Sequence, residues 1–146
     1  MALCHDRRYR PGVSFLLALA AAAACIVIDG DTLRCGDERI RLTGIDAPEL
    51  RSCRPRGRRC VDGDGEAARR ALTASIAGHD LRIVRLGRDR YGRTLAVVYA
   101  GSTNLACAQM ASGNAAYRRD WDARAMVARD CPVLTRTRLA SPASQG

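Results

Sequence analysis

The chain has 146 residues, 47% of them hydrophobic, which is enough for one domain around one core and too few for two. Its formal charge of +9 would attract polyanions such as nucleic acid or an anionic membrane face. All 24 basic residues are arginine, a skew that a GC-rich genome also produces, so the charge permits a polyanionic partner without establishing one.

The N-terminus carries Arg7, Arg8 and Arg10, then an apolar run from Val13 to Ala24 that ends in small alanines. That is the order of a secretory signal, and residues 1–24 are expected to be removed on export to the periplasm or the medium. Even when extended through Ile28, the run falls short of the roughly 20 apolar residues that a transmembrane helix needs, so no stable membrane span is expected. Cys25 follows alanine-rich sequence as a lipoprotein cysteine does, yet Ala22 stands where a larger aliphatic is usual and a strand begins at once.

Six cysteines remain after the signal: Cys25, Cys35, Cys53, Cys60, Cys107 and Cys131. An even count in an exported chain suits disulfides, and six cysteines allow fifteen pairings. The local pairing of Cys25 with Cys35, Cys53 with Cys60 and Cys107 with Cys131 is the one expected. No pair has C-x-x-C spacing and His79 has no cysteine near it in sequence, which argues against zinc.

Cys25 to Ile28 reads as a β-branched strand, Asp29-Gly30 as a tight turn, and Thr32 to Cys35 as the hairpin partner. From Glu38 to Ile45 the sequence alternates, with Ile40 and Leu42 opposite Arg39, Arg41 and Thr43, which predicts a third strand with one buried face. On that alternation alone Arg41 faces solvent. Residues 46–64 are rich in Pro, Gly, Arg and Cys and read as a long loop. Its arginines, Arg51, Arg54, Arg56, Arg58 and Arg59, either track a phosphate backbone or sit on a solvated flexible loop.

Asp64 caps a predicted helix from Gly65 to Ala77 whose apolar face is Ala68, Leu72, Ser75 and Ile76, with Gly78 at the C-terminal left-handed position. Leu81 to Leu86 and Arg93 to Tyr99 follow as strands. A second helix spans Asn104 to Ser112 with Ser102 or Thr103 as its cap, and a short third covers Asp122 to Arg129. Beyond Pro132 there is no periodicity, and residues 132–146 are expected to form a flexible tail. Trp121 is read as packing. The order of elements matches an α+β fold, a five-stranded OB-type β-barrel with about three helices, whose faces and loops commonly bind oligonucleotides.

In an antiparallel meander the turn after the first strand and the exit of the third lie at one end of the sheet, which gathers Asp29, Asp31, Asp46 and Glu49. Four carboxylates together repel one another unless a cation neutralises them, and a hard divalent ion with oxygen ligands answers that need. On an export route calcium is the natural choice. Each piece alone, Asp-Gly or Asp-Ala-Pro-Glu, is also ordinary turn chemistry.

These residues resemble a known family. Ile28-Asp29-Gly30-Asp31-Thr32, then Ile40-Arg41-Leu42 through Ile45-Asp46-Ala47-Pro48-Glu49, then Asp89-Arg90-Tyr91-Gly92-Arg93, are similar to three successive motifs of the staphylococcal nuclease, or thermonuclease, family. The similarity spans roughly Cys25 to Tyr117. It implies that Asp31, Asp46 and the main-chain carbonyl of Ala47 hold Ca²⁺, although the family usually has threonine at the Ala47 position, with Asp29 just outside. It also implies that Glu49 accepts a proton from the attacking water, and that Arg41 and Arg93 grip the scissile phosphate. Planar guanidinium suits that task because it binds two phosphate oxygens at once. Tyr91 and Tyr117 match positions that flank the bound nucleotide.

The implied function is a Ca²⁺-dependent endonuclease domain over residues 25–131, cleaving DNA or RNA and leaving 3′-phosphate ends. Nothing in the sequence points to an obligate protein partner or an oligomer. Two rivals stand beside it: a non-catalytic OB-type nucleic-acid-binding module, and a disulfide-stapled envelope protein whose acids bind Ca²⁺ for stability alone.

Overall fold

The computed structural model describes residues 24–51 and 60–137. Residues 1–23 of the predicted signal, Cys53 and the arginines from Arg54 to Arg59 lie outside the described residues.

Strands β1 (Cys25–Asp29), β2 (Thr32–Cys35) and β3 (Glu38–Leu42) form the expected antiparallel meander. Strand β4 (Ile45–Asp46) then leaves this sheet and later pairs with β8 (Ala116–Tyr117). Strands β5 (Leu81–Arg88) and β6 (Thr94–Ala100) are antiparallel to each other, and β6 runs parallel to β3. A short β7 (Thr103–Asn104) pairs with β6. The resulting strand order, β1-β2-β3-β6-β5, together with the helices makes an α+β, OB-type fold. Among the described residues no ladder joins β5 back to β1, so the barrel is partly open.

Helix α1 (Gly65–Ile76) starts where expected, because Asp64 Oδ1 accepts the N–H groups of Glu66 at 2.9 Å and Ala67 at 3.0 Å. It lays Ala68 and Leu72 over the sheet, against Leu33, Ile40, Leu42, Ile45 and Val98. Full burial of side chains such as Leu33 and Leu72 contributes about 1.5–3 kcal/mol each. Helix α2 (Leu105–Ala111) is capped by Asn104, whose side-chain oxygen accepts from Ala106 N at 2.9 Å, rather than by Ser102 or Thr103. Pairing with β6 carries the strand through Thr103 and Asn104, so the helix starts at Leu105 and the Asn104 side chain is the one at the cap position.

Three further differences from the sequence reading have local causes. The predicted strand Glu38–Ile45 breaks at Thr43-Gly44, where Gly44 has φ +75° and a Cβ would press on Val127 and Asp122. The predicted helix Asp122–Arg129 is divided into a 3₁₀ turn at Ala123–Ala125 and α3 (Met126–Asp130), because Arg124 and Ala125 take positive φ. Beyond it Pro132–Thr137 forms α4 within the span read as a flexible tail. Proline suits a first helical turn, and Thr135 is buried there. Residues 138–146 lie outside the described residues.

Cys25 is bonded to Cys35 across the β1–β2 ladder, and Cys107 to Cys131, joining α2 to the start of α4. Both pairings follow the local choice made from sequence, and the first commits the Cys25 sulfur that a lipid anchor would need. Cys60 is also disulfide-bonded. Disulfides of this kind fit an oxidising compartment. Among the described residues no helix is long and apolar enough to cross a membrane.

Glu38 knits the sheet together on its solvent side. Its carboxylate takes Arg85 Nη2 at 2.6 Å and Nε at 2.9 Å from β5, and the Thr94 hydroxyl at 2.8 Å from β6. The hydrogen bonds from Arg85 and then Thr94 hold its carboxyl down, from 4.5 to about 2. A depressed folded-state value means that this stabilisation is present above pH 4.5 and is lost as pH falls through 2. Urea unfolding should therefore show Glu38→Gln less stable than the parent at neutral pH, with the difference shrinking below pH 4.5 and gone near pH 2.

Candidate active site

A small polar cleft of about 80 Å³ opens at the end of the meander, lined by Asp29, Asp31, Arg41, Ala47, Pro48, Glu49 and Arg93. The β1–β2 turn brings Asp29 and Asp31, the end of β3 brings Arg41, and the chain leaving β4 brings Ala47 and Glu49. Arg93 comes from the residue just before β6, which the parallel pairing of Ile40 with Thr94 sets beside β3.

Arg41 is 6% exposed, so the alternation that places it on the face of Arg39 misjudges it. Its burial follows from two carboxylates. Nη1 meets Asp31 Oδ2 and Nη2 meets Asp46 Oδ1 at 3.2 Å, while both acids are themselves buried. Asp46 reaches the site from behind Arg41 and is not part of the cleft wall. Asp31 Oδ2 also accepts the Ala47 N–H at 2.8 Å, Asp31 Oδ1 the Thr32 hydroxyl at 3.1 Å, and Asp29 Oδ1 the Asp31 N–H at 3.1 Å. Burial pushes the Asp31 carboxyl up to about 7; the nearby Asp29 carboxylate adds to the rise, and the Arg41 guanidinium and the Ala47 N–H oppose it.

The donor set suits a hard cation. Asp31 and Asp46 already hold one positive group between them, the Arg41 guanidinium, and Ala47 lines the cleft beside them. Among the described residues no three His, Cys, Asp or Glu side chains form a ready-made metal cage. The carboxylates that line the cleft are hard oxygen donors of the kind Ca²⁺ accepts.

Arg93 is positioned by Asp89. Asp89 Oδ2 accepts from Arg93 Nε at 2.7 Å, while Oδ1 accepts the backbone N–H of Tyr91 and of Arg93, each at 2.9 Å, fixing the turn between β5 and β6. Tyr91 is 64% exposed, with the guanidinium carbons of Arg90 at 4.9 Å and Arg93 at 5.5 Å from its ring centre. Tyr117 is half-buried and gives its hydroxyl to Asp122 Oδ2 at 2.9 Å, and burial with that bond pushes the phenol up to about 12. Of the two tyrosines, only Tyr91 presents an open ring beside a cleft arginine.

Three supports were not evident from the sequence. Gln109 is buried in α2, and its Nε2 donates to the carbonyls of Gly30 at 2.6 Å and Ala68 at 2.9 Å, tying the Asp29–Asp31 turn to α1. Its signal in the sequence is a lone amide in an otherwise apolar helix. A Cβ on Gly30 would lie 2.7 Å from Ala47 Cβ and 2.6 Å from Ala68 Cβ, and one on Gly65 2.4 Å from the Glu49 carbonyl oxygen. These glycines let α1 press against the backbone that carries Ala47 and Glu49. The third is Trp121, read from sequence as packing, which is 41% exposed with its ring under Arg41 and Arg118.

The staphylococcal nuclease homologue family matches residues 39–131, well over half of the chain, and the chain belongs to that family. It is 32% identical over 122 residues to an uncharacterized endonuclease of Haemophilus influenzae, covering 73% of this chain and 63% of that protein. An uncharacterized endonuclease of Escherichia coli is 36% identical over 104 residues, 64% of this chain and 61% of the relative. The thermonuclease of Staphylococcus intermedius is 38% identical over 81 residues, 51% of this chain and 46% of its own. The chain thus spans about three fifths of the length of the first two relatives. Asp29 and Asp31 precede the family match, and the fold brings them against Arg41 and Ala47 within it.

Because a side chain at position 65 meets rigid backbone, Gly65→Ala should lower stability in urea by about 1–3 kcal/mol. Gly78→Ala makes no comparable clash, since nothing lies near its Cβ direction, although its φ of +72° adds backbone strain. A Gly65→Ala loss no larger than that of Gly78→Ala would show that α1 does not brace the Glu49 segment.

Proposed function

We propose that this chain is a Ca²⁺-dependent nuclease that hydrolyses phosphodiester bonds of DNA or RNA and leaves 3′-phosphate ends. One observation carries the reading: a single cleft is lined by the acids Asp29, Asp31 and Glu49 together with two arginines, Arg41 and Arg93. Membership of the staphylococcal nuclease homologue family and likeness to proteins named endonuclease and thermonuclease support it. The disulfides support export, with residues 1–24 as the signal.

Asp31, Asp46 and the Ala47 carbonyl hold the ion, and Asp29 adds negative charge beside them. When bound, Ca²⁺ supplies positive charge to draw in the phosphate and polarise its oxygens. Arg93, steadied by Asp89, and Arg41, steadied by its two acids, bind the equatorial oxygens and stabilise the charge that builds on them. Glu49, exposed at the rim, takes a proton from the attacking water as its oxygen bonds to phosphorus, and the bond from phosphorus to the 5′ oxygen breaks, that oxygen leaving with a proton from solvent.

The test is release of fragments from single-stranded DNA by the oxidised chain, with Ca²⁺ and again with a chelator. Cleavage should require Ca²⁺, fall about 100-fold or more in Glu49→Gln, and fall by a similar factor in Arg93→Ala. Cleavage by Glu49→Gln at the parent rate removes the proposed base. No cleavage at all, with DNA still retained by the folded protein, would replace the nuclease by the OB-type binding module.

A further inference from the structure

The ladder between β2 and β3 sets two arginines directly opposite one another, Arg34 on β2 and Arg39 on β3. Residues opposed in this way leave the same face of the sheet, and like charges there repel at a cost to stability. Both side chains are exposed, and among the described residues neither meets a carboxylate. Glu38, the residue before Arg39, is committed to Arg85 and Thr94. Elsewhere on the sheet Arg41 has Asp31 and Asp46, and Arg82 lies on the Tyr99 ring. The Arg34–Arg39 pair is thus a repulsive contact that nothing in the fold relieves.

The pair is continuous with the cleft. Extending the parallel pairing of Ile40 with Thr94 by one residue sets Arg93 level with Arg39, on the opposite flank of β3 from Arg34. Arg41 stands two residues further along β3 and differs from Arg39 in the cover that its two acids give it. Neighbouring strands lie about 4.8 Å apart and alternate residues of one strand about 6.6 Å. Steps of this size are on the scale of the distance between successive phosphates of a nucleic-acid strand. A row of guanidinium groups therefore leads out of the cleft, from Arg93 over Arg39 to Arg34.

We infer that Arg39 and Arg34 form a phosphate track that carries the substrate strand away from the cleft, each holding a backbone phosphate beyond the scissile one. The inference rests on the nuclease reading of the cleft and concerns binding, not bond breaking. Contacts of this kind neutralise phosphates and read no bases, so the track strengthens the grip on any sequence. It also supplies the missing counter-charge: a phosphate laid between the two guanidinium groups turns their repulsion into attraction.

The full oxidised chain is compared with Arg34→Gln/Arg39→Gln, and with Arg82→Gln/Arg136→Gln as a control that removes equal charge elsewhere. Arg82 lies opposite Tyr99 at the far end of β6 from Arg93, and Arg136 lies on α4. On a long single-stranded oligonucleotide with Ca²⁺, the track variant should raise KM about 10-fold with kcat within about twofold of the parent. The control should change neither. Binding of the same oligonucleotide to chains carrying Glu49→Gln, followed by anisotropy over a salt series, reads the contacts directly. Loss of both arginines should flatten the slope of log affinity against log salt by about 1.4, the share of two phosphates on a single strand. Arg39→Glu separates binding from folding, because it sets an opposite charge against Arg34: its urea midpoint should rise while its KM also rises. An unchanged KM and salt slope in the track variant, or an equal loss in the control, overturns the track while the nuclease reading stands. Should the double variant fail to fold by circular dichroism, the KM of Arg39→Glu decides, a parental value overturning the track. If the parent neither cuts nor retains the oligonucleotide, both readings fall.

Discussion

The buried contact of Arg41 with Asp31 and Asp46 is what the rest of the site depends on. All three side chains are withdrawn from water, Arg41 at 6%, Asp31 at 7% and Asp46 at 2% exposure. Withdrawing any one alone would be strongly unfavourable, and their mutual contacts offset that cost. The three come from the β1–β2 turn, the end of β3 and the end of β4, so satisfying the charges means drawing these strand ends together. Both acids meet the one Arg41 guanidinium, and burial raises the Asp31 carboxyl against that contact.

Around that contact the packing is built from small residues. Gly30, Ala47 and Ala68 meet without room for another methyl, and Gly65 sits against the Glu49 backbone. Gln109 then closes the gap between the turn and α1 with two short hydrogen bonds. The acidic residues are thus held by the core of the fold rather than by a free loop, and such support limits how far the donors can drift.

Much of this was legible in the sequence because it rests on local rules. The meander follows from Asp29-Gly30 and the alternation around Ile40 and Leu42, α1 from the Asp64 cap, and the Cys25–Cys35 and Cys107–Cys131 disulfides from short separations. The convergence of Asp29, Asp31 and Glu49 was also predictable, since it follows from which end of a meander each occupies. What escaped was non-local. The break at Gly44 is set by Val127 and Asp122, far along the chain, and nothing in the pattern of β3 announces it. Arg41 looks solvent-facing until Asp46 folds behind it. Trp121, an apolar residue by composition, stays exposed because its backbone, and not its ring, is what the fold grips.

The parallel pairing of β3 with β6 has a kinetic consequence. Glu38 and Thr94, bonded to each other across it, are 56 positions apart, so this ladder closes a long loop before its contacts can return any stabilisation. The β1–β2–β3 meander needs only neighbouring residues and can gather Asp31 and Arg41 early. Arg93 takes its place beside them only when the long ladder forms. A chain still emerging from synthesis therefore carries half of this site, and the cleft is completed by the same step that completes the sheet.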